Sequence, residues 1–591
     1  MNKKMRMLSI LFMASSLLSG VSTVNSEFAT GYATINHIMT NDQTGIAASN
    51  KKANVVFADV QNIAQDLNLA AVVDYFDCKT QMGASFLQEA LAYPVSPTDQ
   101  SGIIAKRARL IKALVENPEL KAHVERLLTV AQEAEVGVAE LFSDAFKARA
   151  CPELAEIEMF KKSPLGFHHF IAKAKMAVNE SDKLNAANEA YNAVNGGISS
   201  WVLSKILPRL HAIWKLDKQT FASLMRDPAF AFEYKIMRQF SVLAMVTTPY
   251  IGYTLYKSYS TAIKKRDKLH SLNRLVCIAD KLEELASVYN LDLQFLISNI
   301  KGSQAKATLQ ELRKSRYNKK DTKFFYTPKV HAFVYNLYLH HQLDLAEIFA
   351  CIAELDACNA IATKIVMQTE QNPWCFAQEV HAENPLVQAQ QLWNVLVAKA
   401  VANDFSEHRN VVLSGPNAGG KTTFIRSVLQ NILLAQSFGV AAAASFAYTP
   451  FDYIHSFIHI SDDLMNGLSL FASEVKRAKD IVACIKAMQP GQKYFFALDE
   501  LFTGTNAEDG QACACEYLSK LASYDNIQFI YATHFEKLKE MAELEPACAN
   551  YKVDAPDRLE NGELVYPFTI SQGASEVHVG IDIATNAGLF D

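Results

Sequence analysis

Residues Ser414–Ser427 read SGPNAGGKTTFIRS, about two-thirds of the way along a chain of 591 residues. From Gly415 to Thr422 the stretch fits G-x-x-x-x-G-K-[ST], a pattern whose backbone N–H groups turn inward around phosphate oxygens. Gly415, Gly419 and Gly420 give the backbone the freedom for that turn. The apolar run NVVLS (410–414) before it reads as a strand, and TTFIRSVLQNILLAQ after it reads as a helix. The positive end of that helix then points at the same phosphates. Gly415, Pro416, Asn417, Ala418, Gly419, Gly420, Lys421, Thr422 and Thr423 are therefore the candidate nucleotide-binding residues. Lys421 is expected to neutralise the β- and γ-phosphates of ATP, and the Thr422 hydroxyl to ligate Mg2+.

Two further apolar runs end in polar residues that suit the same chemistry. YFFALDEL (494–501) closes on Asp499 and Glu500. An acidic pair ending a buried strand has little structural purpose, because burying carboxylates is costly. Asp499 is expected to hold the magnesium, directly or through water. Glu500 is placed to polarise a water attacking in line with the γ-phosphate. FIYATHF (529–535) sets His534 at the end of another strand, where it can contact the γ-phosphate.

These runs belong to a region with its own grammar. After about residue 405, strand–loop–helix alternation predicts a mostly parallel sheet covered by helices on both faces. From about 56 to 404 the pattern is helical, with apolar residues recurring at three and four. Leu110, Leu114 and Val115 are expected on one helix face, and Leu282, Leu285 and Val288 on another. The fold class is thus α followed by α/β: a mostly helical lever or bundle, then the α/β domain at 405–591. Residues 27–55 are polar and weakly patterned, and little fixed structure is expected there.

The bulk numbers narrow the setting. Half the residues are hydrophobic and a fifth charged, which excludes general disorder. The net charge of −5 provides no global basic field, so any nucleic-acid contact must come from a local patch. The 10 cysteines are scattered without a C-x-x-C pair, and Cys513 and Cys515 read as buried small hydrophobes in a reducing compartment. Residues 1–26 pull the other way. Lys3, Lys4 and Arg6 precede an apolar run from Met7 to Leu18 and then small residues, the layout of an export signal or anchor. Gln239–Tyr256 also carries no formal charge and is followed by Lys264, Lys265, Arg266 and Lys268. It reads either as a buried helix kinked at Pro249 or as a membrane span. A cytoplasmic location is expected, since ATP and magnesium are scarce outside; a membrane-anchored or exported protein is the alternative.

Together these residues resemble the MutS family of ATPases. GPNAGGKTT is similar to the family's G-P-N-M-G-G-K-S-T. SDDLMNGLSLFASE (461–474) is similar to D-D-x-x-x-G-x-S-T-F-x-x-E, aligning Asp462, Asp463, Gly467, Ser469, Phe471 and Glu474. DELFTGTNAEDG (499–510) is similar to D-E-x-G-x-G-T-x-x-x-D-G, matching Gly504, Thr505, Asp509 and Gly510. Upstream, VVDYFDCKTQMGASFLQEALAYPV (72–95) looks like the start of the family's core domain, and IAELDACNAIA (352–362) like the segment returning from its lever. ENPLV and VANDF fall where the strands before the glycine loop should lie. The resemblance implies an ABC-like P-loop ATPase domain completed by dimerisation with a like or different subunit. It also implies that Ser469 reaches the γ-phosphate bound by the partner, joining Glu500 and His534 as catalytic residues.

Departures shape the functional expectation. Only about 60 residues precede the core, so the family's N-terminal mismatch-binding and connector domains are not expected. A reduced clamp is expected at about 290–340. There Arg313, Lys314, Arg316, Lys319, Lys320 and Lys323, interleaved with Tyr317, Phe324 and Phe325, could hold phosphates and stack on bases. The same patch also reads as a solvated basic loop. In QGASEVHVGIDIA (572–584), His578-Val579 stands where the family has Ser-Tyr. The resemblance implies ATP binding and hydrolysis by a dimer that drives lever or clamp movements on DNA, in mismatch repair or related processing of DNA structures. The alternative is a membrane-associated ATPase of the family that does not recognise mismatches.

Overall fold

The computed structural model describes residues 60–99, 101–150, 217–228, 342–458, 470–559 and 564–577, with scattered positions between 212 and 293 and at 579 and 584. The leader, residues 239–256, the basic residues from Arg313 to Lys323, Ser469 and His578 lie outside these described residues. The chain divides into two compact units: Met1–Ala139, Ser271–Arg316 and Tyr338–Asp591 form the first, Glu140–His270 and Tyr317–Leu337 the second.

In the first unit the helices begin with α1 (Val60–Asp66), α2 (Leu69–Phe76), α3 (Gln81–Ala92), α4 (Ile103–Glu116) and α5 (Pro118–Ala150), the last of which runs on into residues of the second unit. The N-terminus of α3 organises this region. Thr80 caps it, its hydroxyl accepting from Gly83 N at 2.9 Å. Two buried carboxylates then take the orphan donors of the first turn. Asp356 accepts from Thr80 N at 2.7 Å and Thr80 Oγ1 at 2.8 Å. Glu135 accepts from Gln81 N at 2.9 Å and Met82 N at 2.7 Å. Burial pushes both carboxyls up, Glu135 to about 7, and the helix dipole opposes that cost. Gly83 is required here, because any Cβ would collide with the Asp356 carboxylate. The TQMG and AELD segments, far apart in sequence, thus meet at one helix end.

Helix α6 (Lys218–Leu224) belongs to the second unit, and Asp356 lies on α7 (Gln342–Val366) of the first. Helix α6 is capped by Asp217, whose side chain accepts from Gln219 N and Thr220 N, each at 2.9 Å. Leu110 and Leu114 are buried as expected, while Val115 is half-buried. Leu282 and Leu285 are also buried. Val288, expected beside them, is 67 % exposed because the chain turns out of the helix at Tyr289-Asn290. No helix among the described residues is long and apolar enough to cross a membrane.

The sheet follows. Strands β1 (Cys375–Phe376), β2 (Gln378–Glu379), β3 (Val387–Leu392), β4 (Asn403–Glu407) and β5 (Asn410–Ser414) lead into α8 (Lys421–Phe438). Then come β6 (Val440–Ala441), β7 (Ser445–Tyr448), β8 (Tyr453–Phe457), α9 (Leu470–Lys486), β9 (Tyr494–Asp499), α10 (Ala507–Ala522), β10 (Ile527–Thr533), α11 (Glu536–Leu544) and β11 (Cys548–Val553). Short strands β12 (Asp557–Arg558), β13 (Leu564–Val565) and β14 (Ile570–Gln572) complete the order. Six strands form one sheet in the order β14-β11-β5-β10-β9-β8. The pairs from β11 to β8 are parallel and β14 joins antiparallel. Every residue of β5, β9 and β10 is buried, which is why these strands read as unbroken apolar runs. A second sheet, β2-β7-β3-β4, precedes and flanks the α8 segment in sequence; β3 and β4 begin at the ENPLV and VANDF segments. Cys513 and Cys515 sit on α10 but are only half-buried, less enclosed than expected.

Candidate functional site

Three adjacent parallel strands end level with one another. Ser414 of β5 pairs with Thr533 of β10, and Asp499 of β9 with Ala532. The residues that follow each strand therefore converge at one edge, where open α/β sheets carry their ligands. The glycine loop leaves β5, His534 leaves β10 and Glu500 leaves β9.

The loop enters α8 through Gly420 at φ 98°, a left-handed conformation that favours glycine. Lys421 is the first residue of α8 and is only 5 % exposed. Its Nζ donates to Gly415 O at 3.1 Å and Pro416 O at 3.2 Å, folding the side chain back over the loop. Burial pulls its amine below the usual lysine range, with Glu500 and Asp499 opposing that shift. The same Nζ lies 3.1 Å from His534 Nε2 and 3.9 Å from Glu500 Oε1.

His534 Nε2 is 2.6 Å from Glu500 Oε1. This bond holds the Glu500 carboxyl below the usual glutamate range. An ionised Glu500 can only accept, so Nε2 carries the proton and donates to it. Asp499 behaves differently. Burial raises its carboxyl, and Thr422 Oγ1 donates to its Oδ2 at 2.6 Å. Its Oδ1 is buried with no hydrogen-bond partner. An orphaned carboxylate oxygen beside a threonine hydroxyl suits a divalent cation that takes its remaining ligands from water and phosphate. No group of three or more metal-ligating side chains occurs among the described residues.

Every expected loop and acidic residue that is described lies at this edge; Ser469 lies outside the described residues, directly before α9. Several contributors carried no readable signal. Asn394 Nδ2 donates to Thr423 O at 3.2 Å. Asn403 binds the Phe568 carbonyl at 3.1 Å and Ile570 N at 2.8 Å, fixing Phe568 at φ 56°. The Phe568 ring lies 3.2 Å from the point a Cβ on Gly420 would occupy, so it covers the loop. The backbone N of Ser575, from the C-terminal motif, donates to Ser414 Oγ at 2.8 Å. These contacts join residues up to 167 positions apart, and polar residues at such spacing look like ordinary surface in a sequence.

Fold and site together define an α/β domain with a glycine loop and an Asp-Glu pair at the ends of parallel strands. Residues 411–591 match the family model described as MutS domain V. The chain is also 31 % identical over 187 residues to the DNA mismatch repair protein MutS of Shouchella clausii (strain KSM-K16). That match covers 32 % of this chain and 21 % of the relative, so the chain spans about a fifth of the curated protein it matches. Residues 411–591 are thus similar to a domain of the MutS family.

Proposed function

We propose that the chain is an ATPase of the MutS family that binds DNA and couples ATP binding and hydrolysis to movement of its helical region. The observation that carries this reading is the convergence of Lys421, Thr422, Asp499, Glu500 and His534 at the ends of three parallel strands. In it, the backbone from Gly415 to Gly420 cradles the phosphates and Lys421 turns from its loop carbonyls to the β- and γ-oxygens. Thr422 and Asp499 would hold Mg2+, which would supply charge neutralisation at the phosphates when bound. Glu500 orients the attacking water, and His534 moves from Glu500 to the γ-phosphate. Ser469 completes the site across a dimer with a like or different subunit, and Arg313, Lys314, Arg316, Lys319, Lys320 and Lys323 contact DNA phosphates. The proposed compartment is the cytoplasm, where ATP and magnesium are plentiful.

Two measurements test it. Glu500→Gln is expected to lower ATP turnover about a hundredfold or more while nucleotide binding persists; Lys421→Ala is expected to lose nucleotide binding itself. Turnover that Glu500→Gln leaves unaltered would sink the mechanism. Binding to duplex, mismatched, branched and single-stranded DNA, with and without ATP, tests the ligand. Failure to bind any of them at low salt removes the DNA assignment.

A further inference from the structure

The segment behind Glu500 is held in an unusual way. Glu500 and Phe502 both adopt positive φ, 49° and 65°, although neither is glycine. Such conformations persist only where the surroundings over-determine them. Three restraints do so here. Glu500 N donates to Ala532 O at 3.1 Å. Tyr531 OH, inside the sheet, donates to Leu501 O at 3.0 Å. The third restraint is Glu474 on α9, a fully buried carboxylate at 0 % exposure. Its Oε1 accepts from Thr503 N at 3.1 Å and Thr503 Oγ1 at 3.4 Å, and its Oε2 accepts from Gly504 N at 3.1 Å.

Both oxygens are thus committed to the loop backbone, and no cation is paired with them in the ion pairs of the described residues. A buried carboxylate is costly unless its lone pairs are taken, and here consecutive backbone donors take them. Gly504 makes the approach feasible. A Cβ there would sit 2.6 Å from Phe471 N and 3.0 Å from Glu474 Oε2. Phe471 and Phe502 close the other side, ring centroids 6.3 Å apart.

We propose that Glu474 is a positioning residue for the proposed hydrolysis, clamping residues 503–504 so that the strained turn aims the Glu500 carboxylate at the water site. This rests on the ATPase reading above. Glu474 does not touch the nucleotide loop, so its loss should spare nucleotide binding and impair the chemical step. A packing role and a positioning role rank two substitutions oppositely. Glu474→Gln keeps the volume but turns an NH2 toward a backbone N–H. Glu474→Asp leaves a void but keeps two acceptors.

The test uses the full chain, measuring kcat for ATP, Kd for a fluorescent ADP and the thermal midpoint. Glu474→Gln is expected to lower kcat about tenfold or more with Kd changed by less than about twofold. Glu474→Asp is expected to keep more of the kcat than Glu474→Gln does. Wild-type kcat in Glu474→Gln, or a lower kcat in Glu474→Asp than in Glu474→Gln, overturns the inference. A wild-type chain that binds ATP without turning it over overturns the ATPase reading and the inference with it.

Discussion

His455 shows how a single residue in the sheet ties stability to pH. It lies on β8 at 4 % exposure, stacked on Tyr453 with centroids 6.0 Å apart and set edge-on to Phe496 at 6.3 Å. Neither ring nitrogen has a hydrogen-bond partner. Burial, aided by the nearby Arg477 charge, pushes its pKa down to about 3 from 6.5. The folded state therefore refuses a proton that the unfolded chain accepts. The stability held with the ring neutral is complete above pH 6.5 and is lost as pH falls toward about 3. Between pH 7.5 and 5 this one group is expected to remove about 2 kcal/mol. His455→Phe fills the same apolar niche without a titrating group. Urea unfolding of both proteins at the two pH values checks this: the variant should lose about 2 kcal/mol less than the wild type on acidification.

At the scale of elements, the decisive contact is where α8 ends rather than where it begins. Arg107 of α4, 4 % exposed, donates through Nε to Glu354 Oε1 of α7 at 2.6 Å and through Nη1 to Ser437 O of α8 at 2.9 Å. Its guanidinium also lies 5.3 Å from the ring centroids of Phe86 and Phe438. One side chain thereby pins three helices. Arg107→Met strands a buried carboxylate and is expected to cost about 3 kcal/mol or more, whereas Arg107→Met with Glu354→Leu should recover part of that loss. A double-mutant cycle by denaturant unfolding measures the difference. None of this was legible in the sequence, where Arg107 reads as one charge on a helix. The strands β5, β9 and β10 were legible, because a strand buried on both faces needs apolar residues throughout. Strand β11, CANYKV, was not: Asn550 and Lys552 break the run, and its pairing with β5 depends on residues 138 positions away. The convergence of Asp499, Glu500 and His534 with the glycine loop at one edge was legible for a related reason, since the proposed phosphate chemistry restricts which residues may end each strand. Glu474 was visible only as a position in a motif, because its partners are backbone N–H groups.

In the whole first unit, the helical residues and the sheet share one interior. The last turn of α8 is knit to the α3–α4 region: Gln436 Nε2 donates to Val95 O at 2.8 Å and Ser437 Oγ to Ala90 O at 2.8 Å. Helix α8 starts at Lys421 and is about 27 Å long at the ordinary helical rise. In the proposed mechanism, a displacement at the Lys421 end of this helix would pass to Ala90 and Val95 and, through Arg107, to α7. What such a movement grips depends on charge. The net charge of −5 disfavours a polyanion, so the proposed DNA affinity must be concentrated in a local patch. Replacing Lys319, Lys320 and Lys323 together with Gln tests this. If each neutralises one phosphate, the slope of log K against log salt should fall in magnitude by about 2.7 for duplex DNA. ATP turnover without DNA should be unchanged, since these lysines fall outside the sequence motifs that read as the nucleotide site. An unchanged salt slope would move the DNA-binding surface elsewhere on the chain.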